Sequence, residues 1–442
     1  MKKSLGVLAV VLLTAVACNG ASQSATTGPV ITIWTSPTAV NLPGHEAQST
    51  NPGDWLKFIA SEYTKLHPNV TFIVQTFEGG EEFQAKLRAA VQAGSPPDIL
   101  DWTDTQNSTY AWEPGVLEDL STLVPAETLN SLKPAYRTAV TLEGSMYLMP
   151  SVGSFYGFLK ANKAIFDAAG VTLPSNGEWT YDEFEQAIAK VAIPDKRWPI
   201  VIRMTDQFSE YDWQGFMFGE GCQPYSADLK KSAINTPQCA KGLQWIVDAG
   251  KKGWIVPGIT TIDWDPQETL YWQGQVAISY GRIASKLREE EARTQGKITE
   301  PVDTVLVQFP HAADVPPVGM SISFNGWSVF KQSDPAKAQV IGDFIGFAFQ
   351  PQYSEPFANL QQSASMYTTW NLTTLTNPLA AQVEGWVDKY GILDQGDATP
   401  HFPDQRALRN PIYQGAYLGK ISVADALREI DAKTNELLLA TP

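Results

Sequence analysis

Val30-Ile31-Thr32-Ile33-Trp34 and Pro97-Asp98-Ile99-Leu100-Asp101-Trp102 bracket the stretch of sequence that decides the fold. The first run is β-rich. Asp54 then caps a helix through about Leu66, with Leu56, Ile59, Tyr63 and Leu66 near helical spacing, and His67-Pro68-Asn69 stops it. Val70 to Phe77 reads as a second strand. Glu81 to Ala93 reads as a second helix with Phe83, Leu87, Ala90 and Val91 on one side, and Gly94 ends it. The run from Pro97 is a third strand. Strand, helix, strand, helix, strand predicts right-handed βαβ units on a sheet with a parallel core.

The same mixture continues outward. Asp182 to Val191, Ala240 to Lys251, Ala336 to Phe349 and Val423 to Leu439 read as helices; Pro199 to Met204, Gln275 to Tyr280 and Val302 to Phe309 read as strands. With 442 residues, the α/β chain exceeds one small core, and two lobes are expected.

At the start, Met1-Lys2-Lys3 is basic and Leu5 to Ala17 is apolar, a run too short to span a bilayer. Ala15-Val16-Ala17-Cys18 places small residues before a cysteine. Residues 1–17 thus read as a signal peptide, and the last four resemble a bacterial lipobox, which implies cleavage before Cys18 and acylation of its thiol. Residues 18–28, rich in Ser, Thr, Ala and Gly, read as a lipidated tether. The expected location is the outer face of the cytoplasmic membrane.

Composition narrows the function. Lys and Arg total 32 against 47 Asp and Glu, a formal charge of −15. Phosphate contacts need clustered bases, so no nucleic-acid partner is expected. Fourteen Trp and 15 Tyr supply apolar platforms suited to the C–H faces of sugars. With Cys18 lipidated, Cys222 and Cys239 remain as an even pair in an exported protein, and a disulfide between them is expected. Pro224 and Asn235-Thr236-Pro237 let the chain turn back between them. Four His and no Cys-x-x-Cys argue against a structural metal, and no cofactor is expected.

Seven phrases, in order, resemble the family-1 extracellular solute-binding proteins of ABC importers, the group with maltose- and oligosaccharide-binding members. They are 86–99 (from Lys86-Leu87-Arg88 to Pro97-Asp98-Ile99), 115–120, 143–150, 162–171 with 179–184, 272–278, Asn325-Gly326-Trp327-Ser328-Val329, and 419–427. The resemblance implies a two-lobe periplasmic-binding-protein fold with a ligand cleft between lobes and three crossover segments, placed near Pro150, Phe309 and Phe349. It divides the chain into an N-lobe of 29–150 and 309–348 and a C-lobe of 151–308 and 349–442. It also implies a monomeric receptor that closes on a sugar by hinge motion and delivers it to permease subunits.

Cleft residues are sought at carboxyl ends of strands, where α/β lobes bind ligands. Trp34, Thr35 and Ser36 end the first strand, with Glu78 a weaker candidate after the second. Trp102 ends the third, flanked by the acceptors Asp101 and Asp104. From the other lobe come Tyr156 in Ser154-Phe155-Tyr156, then Asp212 and Trp213, then Tyr280 and Arg282. Arg282 departs from the Trp frequent in the family and offers a planar fork of donors. Asn325, Gly326 and Trp327 are placed at a turn before a strand, with Gly326 allowing close backbone approach. The family's late small-Pro-x-Arg phrase is replaced by Ser363-Ala364-Ser365-Met366-Tyr367.

No Gly-x-Ser-x-Gly, His-Glu-x-x-His or Gly-x-x-x-x-Gly-Lys occurs, and no catalytic residue is assigned. Two rival readings remain at this level. One is a secreted glycoside hydrolase, which needs two carboxylates across a scissile bond. The other is a receptor that presents its ligand to a chemosensor.

Overall fold

The computed structural model describes residues 28–78, 81–104, 109–113, 115–283, 285–318, 320–372, 378–393, 396 and 399–440. Residues 1–27, on which the expected signal peptide, Cys18 and most of the expected tether fall, lie outside the described residues. The strands, in chain order, are β1 (Val30–Thr35), β2 (Thr71–Thr76), β3 (Ile99–Asp104), β4 (Thr141–Leu142), β5 (Ser145–Met146), β6 (Met149–Tyr156), β7 (Phe158–Asn162), β8 (Trp198–Val201), β9 (Val276–Tyr280), β10 (Thr304–Gln308), β11 (Met320–Val329) and β12 (Ile392–Leu393). They form two main sheets and the small hairpin β4–β5.

The first sheet carries the N-lobe. β1 pairs in parallel with β2 and β3, as the βαβ reading requires. β11 runs antiparallel between β3 and β6. The first helix spans Asp54–Leu66 as expected, but Gly53 in the left-handed region is its cap. Asp54 is instead the first helical residue, and its carboxylate accepts from the Asn51 amide and Lys57. Beneath the sheet, Ile31, Ile33, Trp55, Ile59, Trp327, Phe344 and Phe349 share one apolar core. The opposite face buries Trp34 and Leu100 under the helix Glu81–Gln92 through Leu87.

The second sheet, ordered β10-β7-β9-β8, carries the C-lobe. β8 and β9 are parallel, while β7 and β10 are antiparallel to their neighbours. Its core joins Phe184, Trp213, Phe216, Ile246, Ile278 and Tyr413. Cys222 and Cys239 are bonded within it, Cα atoms 4.5 Å apart, as the even pair predicts. The bridge fixes the amino end of the helix Pro237–Lys251, which Thr236 caps by accepting from the Cys239 N–H.

The crossings differ from those expected. Pro150 lies inside β6, paired with Gly326 of the first sheet, so the first crossing comes at Gly157. Among the described residues β6 pairs only with β11, and an edge strand tolerates a residue without an N–H. Phe309 packs on Phe216 in the C-lobe core at 4.8 Å, and the second crossing falls between Val318 and β11. Phe349 packs on Trp327 in the N-lobe core at 5.4 Å. The helices Pro351–Leu360 and Pro378–Tyr390 add Phe357, Val383 and Val387 to that core. The third crossing therefore follows β12 and precedes the helix Phe402–Tyr417, whose Tyr413 is in the C-lobe core.

Topology fixes where the cleft lies. β6 leaves the first sheet at Tyr156, the edge where β1 and β3 end and β11 begins. Two residues later the chain enters the second sheet at Phe158, beside Gln308 and next to the carboxyl end of β9. The Gly281 N–H donates to the Phe158 carbonyl at 3.1 Å. The edges bearing the ends of β1 and β3 and of β8 and β9 are thus joined by the crossing.

Candidate functional site: the facing edges of two sheets

On the N-lobe edge, Thr35 and Asp101 end β1 and β3 and are brought together. The Thr35 hydroxyl donates to the Asp101 carboxylate at 2.5 Å, and both are buried. Ser36 follows, half-buried, with its hydroxyl 2.8 Å from that of Thr38. One turn of the pleat away, Trp34 faces the opposite side of the sheet and packs on Phe77 at 4.7 Å. Trp102 and Asp104 sit on β3 at this edge, with Asp104 in register with Asn325. Their side chains, and that of Tyr156, lie outside the described residues. Glu78 is exposed just beyond β2.

Three predicted residues are built into the scaffold instead. Asn325, Gly326 and Trp327 lie within β11 and not at a turn. Register shifts flank Gly326 on both sides, and a Cβ there would stand 2.2 Å from the Met149 carbonyl oxygen. The close approach that Gly326 permits is therefore to β6. Trp327 is 2% exposed among Phe344 and Phe349. Trp213 is fully buried against Tyr413 in the C-lobe. These two rings are core residues, because a large apolar ring next to a sheet is worth most when it is out of water.

The C-lobe edge is polar and tightly bonded. Arg203 lies two residues past β8, and Arg282 two past β9. The Arg203 backbone N–H, Nε and Nη2 all donate to Asp212 at 3.2 Å. Gln267 adds a donor to Asp212 at 2.8 Å and reaches Ser279 at 3.3 Å. Burial pushes the Asp212 carboxyl up from its ordinary range, while Arg203 and Gln267 oppose the shift. Asp212 is thus a brace for Arg203. The adjacent Glu268 binds Lys160 of β7 through both oxygens at 2.7 Å, inside the protein. Burial pulls the Lys160 ammonium below its usual value. The helix Trp264–Trp272 is thereby clamped to the sheet, and Asp263 caps it by accepting from the Trp264 N–H.

That clamp sets Trp264 at the edge. The Arg282 guanidinium carbon lies 4.4 Å from its ring centroid, that of Arg203 5.0 Å and that of Arg288 5.1 Å. Tyr280 meets the same ring edge-on at 6.1 Å.

A second polar cluster backs the segment Gln207–Asp212. Arg406 approaches Glu210 at 2.6 Å, and Arg409 donates to the Tyr225 hydroxyl at 2.8 Å. The Tyr225 hydroxyl donates to Gln405 at 2.5 Å. Arg203, Trp264, Gln267 and Arg288 escape sequence reasoning. The signals are slight: one Arg in the apolar run from Pro199 to Met204, and an Asp263-Trp264 pair opening a helix. Phe402, Arg406, Arg409 and Tyr413 do share a helical face, but two Arg at that spacing read as a solvated stripe.

The model of the bacterial extracellular solute-binding proteins matches this chain over residues 46–355. The chain belongs to that family. Its relatives are distant. The maltotriose-binding protein of Pyrococcus abyssi is 21% identical over 50% of this chain and 44% of its own length, so the match spans under half of that relative. The diacetylchitobiose-binding protein of Streptomyces coelicolor is 23% identical over 93% of this chain and 90% of its own. Among solved structures, a cyclic α-maltosyl-1,6-maltose binding protein from Arthrobacter globiformis aligns with TM-score 0.71 and 21% identity, covering 93% of this chain and 99% of its own. An ABC substrate-binding protein from Listeria monocytogenes in complex with cycloalternan aligns with TM-score 0.64 and 19% identity, covering 92% and 98%. At these identities the structural likeness is one of fold, the two-lobed architecture derived above. Family members are binding proteins. Among the described residues of this solute-binding protein, no helix is long and apolar enough to cross a membrane, and no cluster of three or more His, Cys, Asp or Glu side chains is placed to hold a metal ion.

Proposed function

We propose that this solute-binding protein is the extracytoplasmic receptor of an ABC importer, holding a saccharide, best an oligosaccharide, between its lobes and presenting it to the permease. The observation that carries the reading is the family match over 46–355, joined to relatives whose names and bound ligands are di- and oligosaccharides. Thr35, Ser36, Asp101, Trp102 and Asp104 are assigned to the N-lobe wall together with Tyr156, which ends β6 of the same sheet and not of the other lobe, and Tyr280 and Arg282 to the C-lobe wall. Hydroxyls and carboxylates there suit sugar hydroxyls, and rings suit sugar faces. The leader fits an exported chain held at the membrane by acylated Cys18, acting as a monomer.

A ligand that binds only the folded state raises its melting temperature. A thermal-shift screen of di- to tetrasaccharides, sugar acids, polyols and peptides therefore tests the reading. Stabilisation by saccharides is expected; a response to peptides alone contradicts it. The purified domain is also expected to leave its bound saccharide intact, with no cleavage beyond that of a heat-treated control. Cleavage above that level establishes the hydrolase reading.

A further inference from the structure

The convergence of three guanidiniums on Trp264 is not what composition would place. Acids outnumber bases by 47 to 32 in this chain, yet Arg203, Arg282 and Arg288 all lie within 5.1 Å of one ring centroid. Two of them extend past the carboxyl ends of adjacent parallel strands, at the edge joined to the N-lobe through Gly157 and Phe158. The three guanidiniums set on the indole offer donors only. The Trp264 Nε1–H is itself buried and has no acceptor among the described residues. Arg203 is matched by Asp212 and, at 3.9 Å, by Asp206. Arg288 forms no ion pair among the described residues. Its helix (Ser285–Thr294) begins just past Arg282, whose N–H donates to the Ser285 hydroxyl. Arg282, Arg288 and Trp264 are half-buried, so solvent reaches the cluster.

We propose that this wall receives an anionic substituent of the saccharide, either the carboxylate of a uronic acid or a sulfate ester. The inference rests on the saccharide reading and deepens it. Like charges gathered on one ring repel one another, and an anion docked among them removes that cost. A guanidinium fork matches two oxygens of a carboxylate or sulfate at once, and charge-assisted bonds are about twice as strong as neutral ones. The Lys160–Glu268 and Asp212–Gln267 anchors hold the ring in place before the ligand arrives, so little ordering is left to be done on binding.

Calorimetric titration of the intact chain with matched probes tests this: trigalacturonic acid, its methyl ester, sulfated lactose and lactose, each at low and high salt. The ionised member of at least one pair is expected to bind roughly tenfold or more tightly than its neutral partner, with the preference shrinking in high salt. The carboxylate and sulfate arms separate the two sources of charge. Arg282→Gln is expected to abolish the preference. Arg288→Gln, on a half-exposed helix face, gives the same readout should the first variant fail to fold. Equal binding of charged and neutral members, or a preference untouched by Arg288→Gln, overturns the anionic assignment and leaves the saccharide reading standing. If none of the four probes binds while a neutral saccharide stabilises the protein in the thermal screen, the anionic assignment falls and the saccharide reading stands.

Discussion

Lys160 and Glu268 show how much this fold spends on orienting one helix. The ammonium and carboxylate are 2% and 3% exposed and meet at 2.7 Å. Removing one partner leaves a buried charge uncompensated, whereas replacing both with apolar groups of similar volume need not destabilise. Glu268→Gln is expected to cost about 3–5 kcal/mol, and Lys160→Met with Glu268→Leu markedly less. Urea denaturation of the three proteins checks the order. Trp102 offers the parallel test of binding. If it stacks on the sugar, Trp102→Ala weakens affinity by roughly 1–3 kcal/mol with folding intact; unchanged affinity removes it from the site.

At the scale of the element, the helix Pro378–Tyr390 links both lobes. Glu384 accepts from the Tyr136 hydroxyl and the Ser365 N–H of the N-lobe, with Lys133 at 3.5 Å. Gln382 and Trp386 donate to the Leu306 and Asn176 carbonyls of the C-lobe. Burial raises the Glu384 carboxyl above its ordinary value despite Lys133 and Tyr136. A carboxyl raised on folding holds its proton more tightly than the unfolded chain does. Its contribution is present below the ordinary carboxylate range and is lost as pH rises through the raised value. Glu384→Gln is therefore expected to melt at or above the parent's temperature at neutral pH, with the gap closing in acid. A variant less stable at neutral pH than in acid, relative to the parent, contradicts this.

The disulfide belongs to the same scale. Reducing Cys222–Cys239 is expected to lower stability by roughly 3 kcal/mol through the loop it closes, without changing which ligands bind. The elements around these anchors were unequally legible. The first βαβαβ run announces itself, because each amphipathic helix and short strand has a periodic pattern and a stop. The crossings do not. Pro150 breaks a pattern without breaking a strand, since β6 is an edge. Helices such as Trp264–Trp272, within the C-lobe, and Pro378–Tyr390, between the lobes, bury polar residues such as Gln267, Glu268 and Glu384, which blurs the apolar stripe that would mark them. Of the site, the strand-end residues Thr35 and Asp101 were readable as a pair of positions. Arg203 and Trp264 were not, because they meet only through the pairing of β8 and β9.

For the molecule as a whole, two sheets joined by the crossings carry the two edges on which the proposed hinge closure would act. The central claim is that one saccharide engages both edges at once. Hydrogen exchange of the protein, with and without the best saccharide of the thermal screen, tests it most directly. The account predicts new protection in residues 35–38 and 99–104 of the N-lobe together with 203–212 and 280–283 of the C-lobe. Protection confined to one lobe, or lying away from both edges, would contradict it.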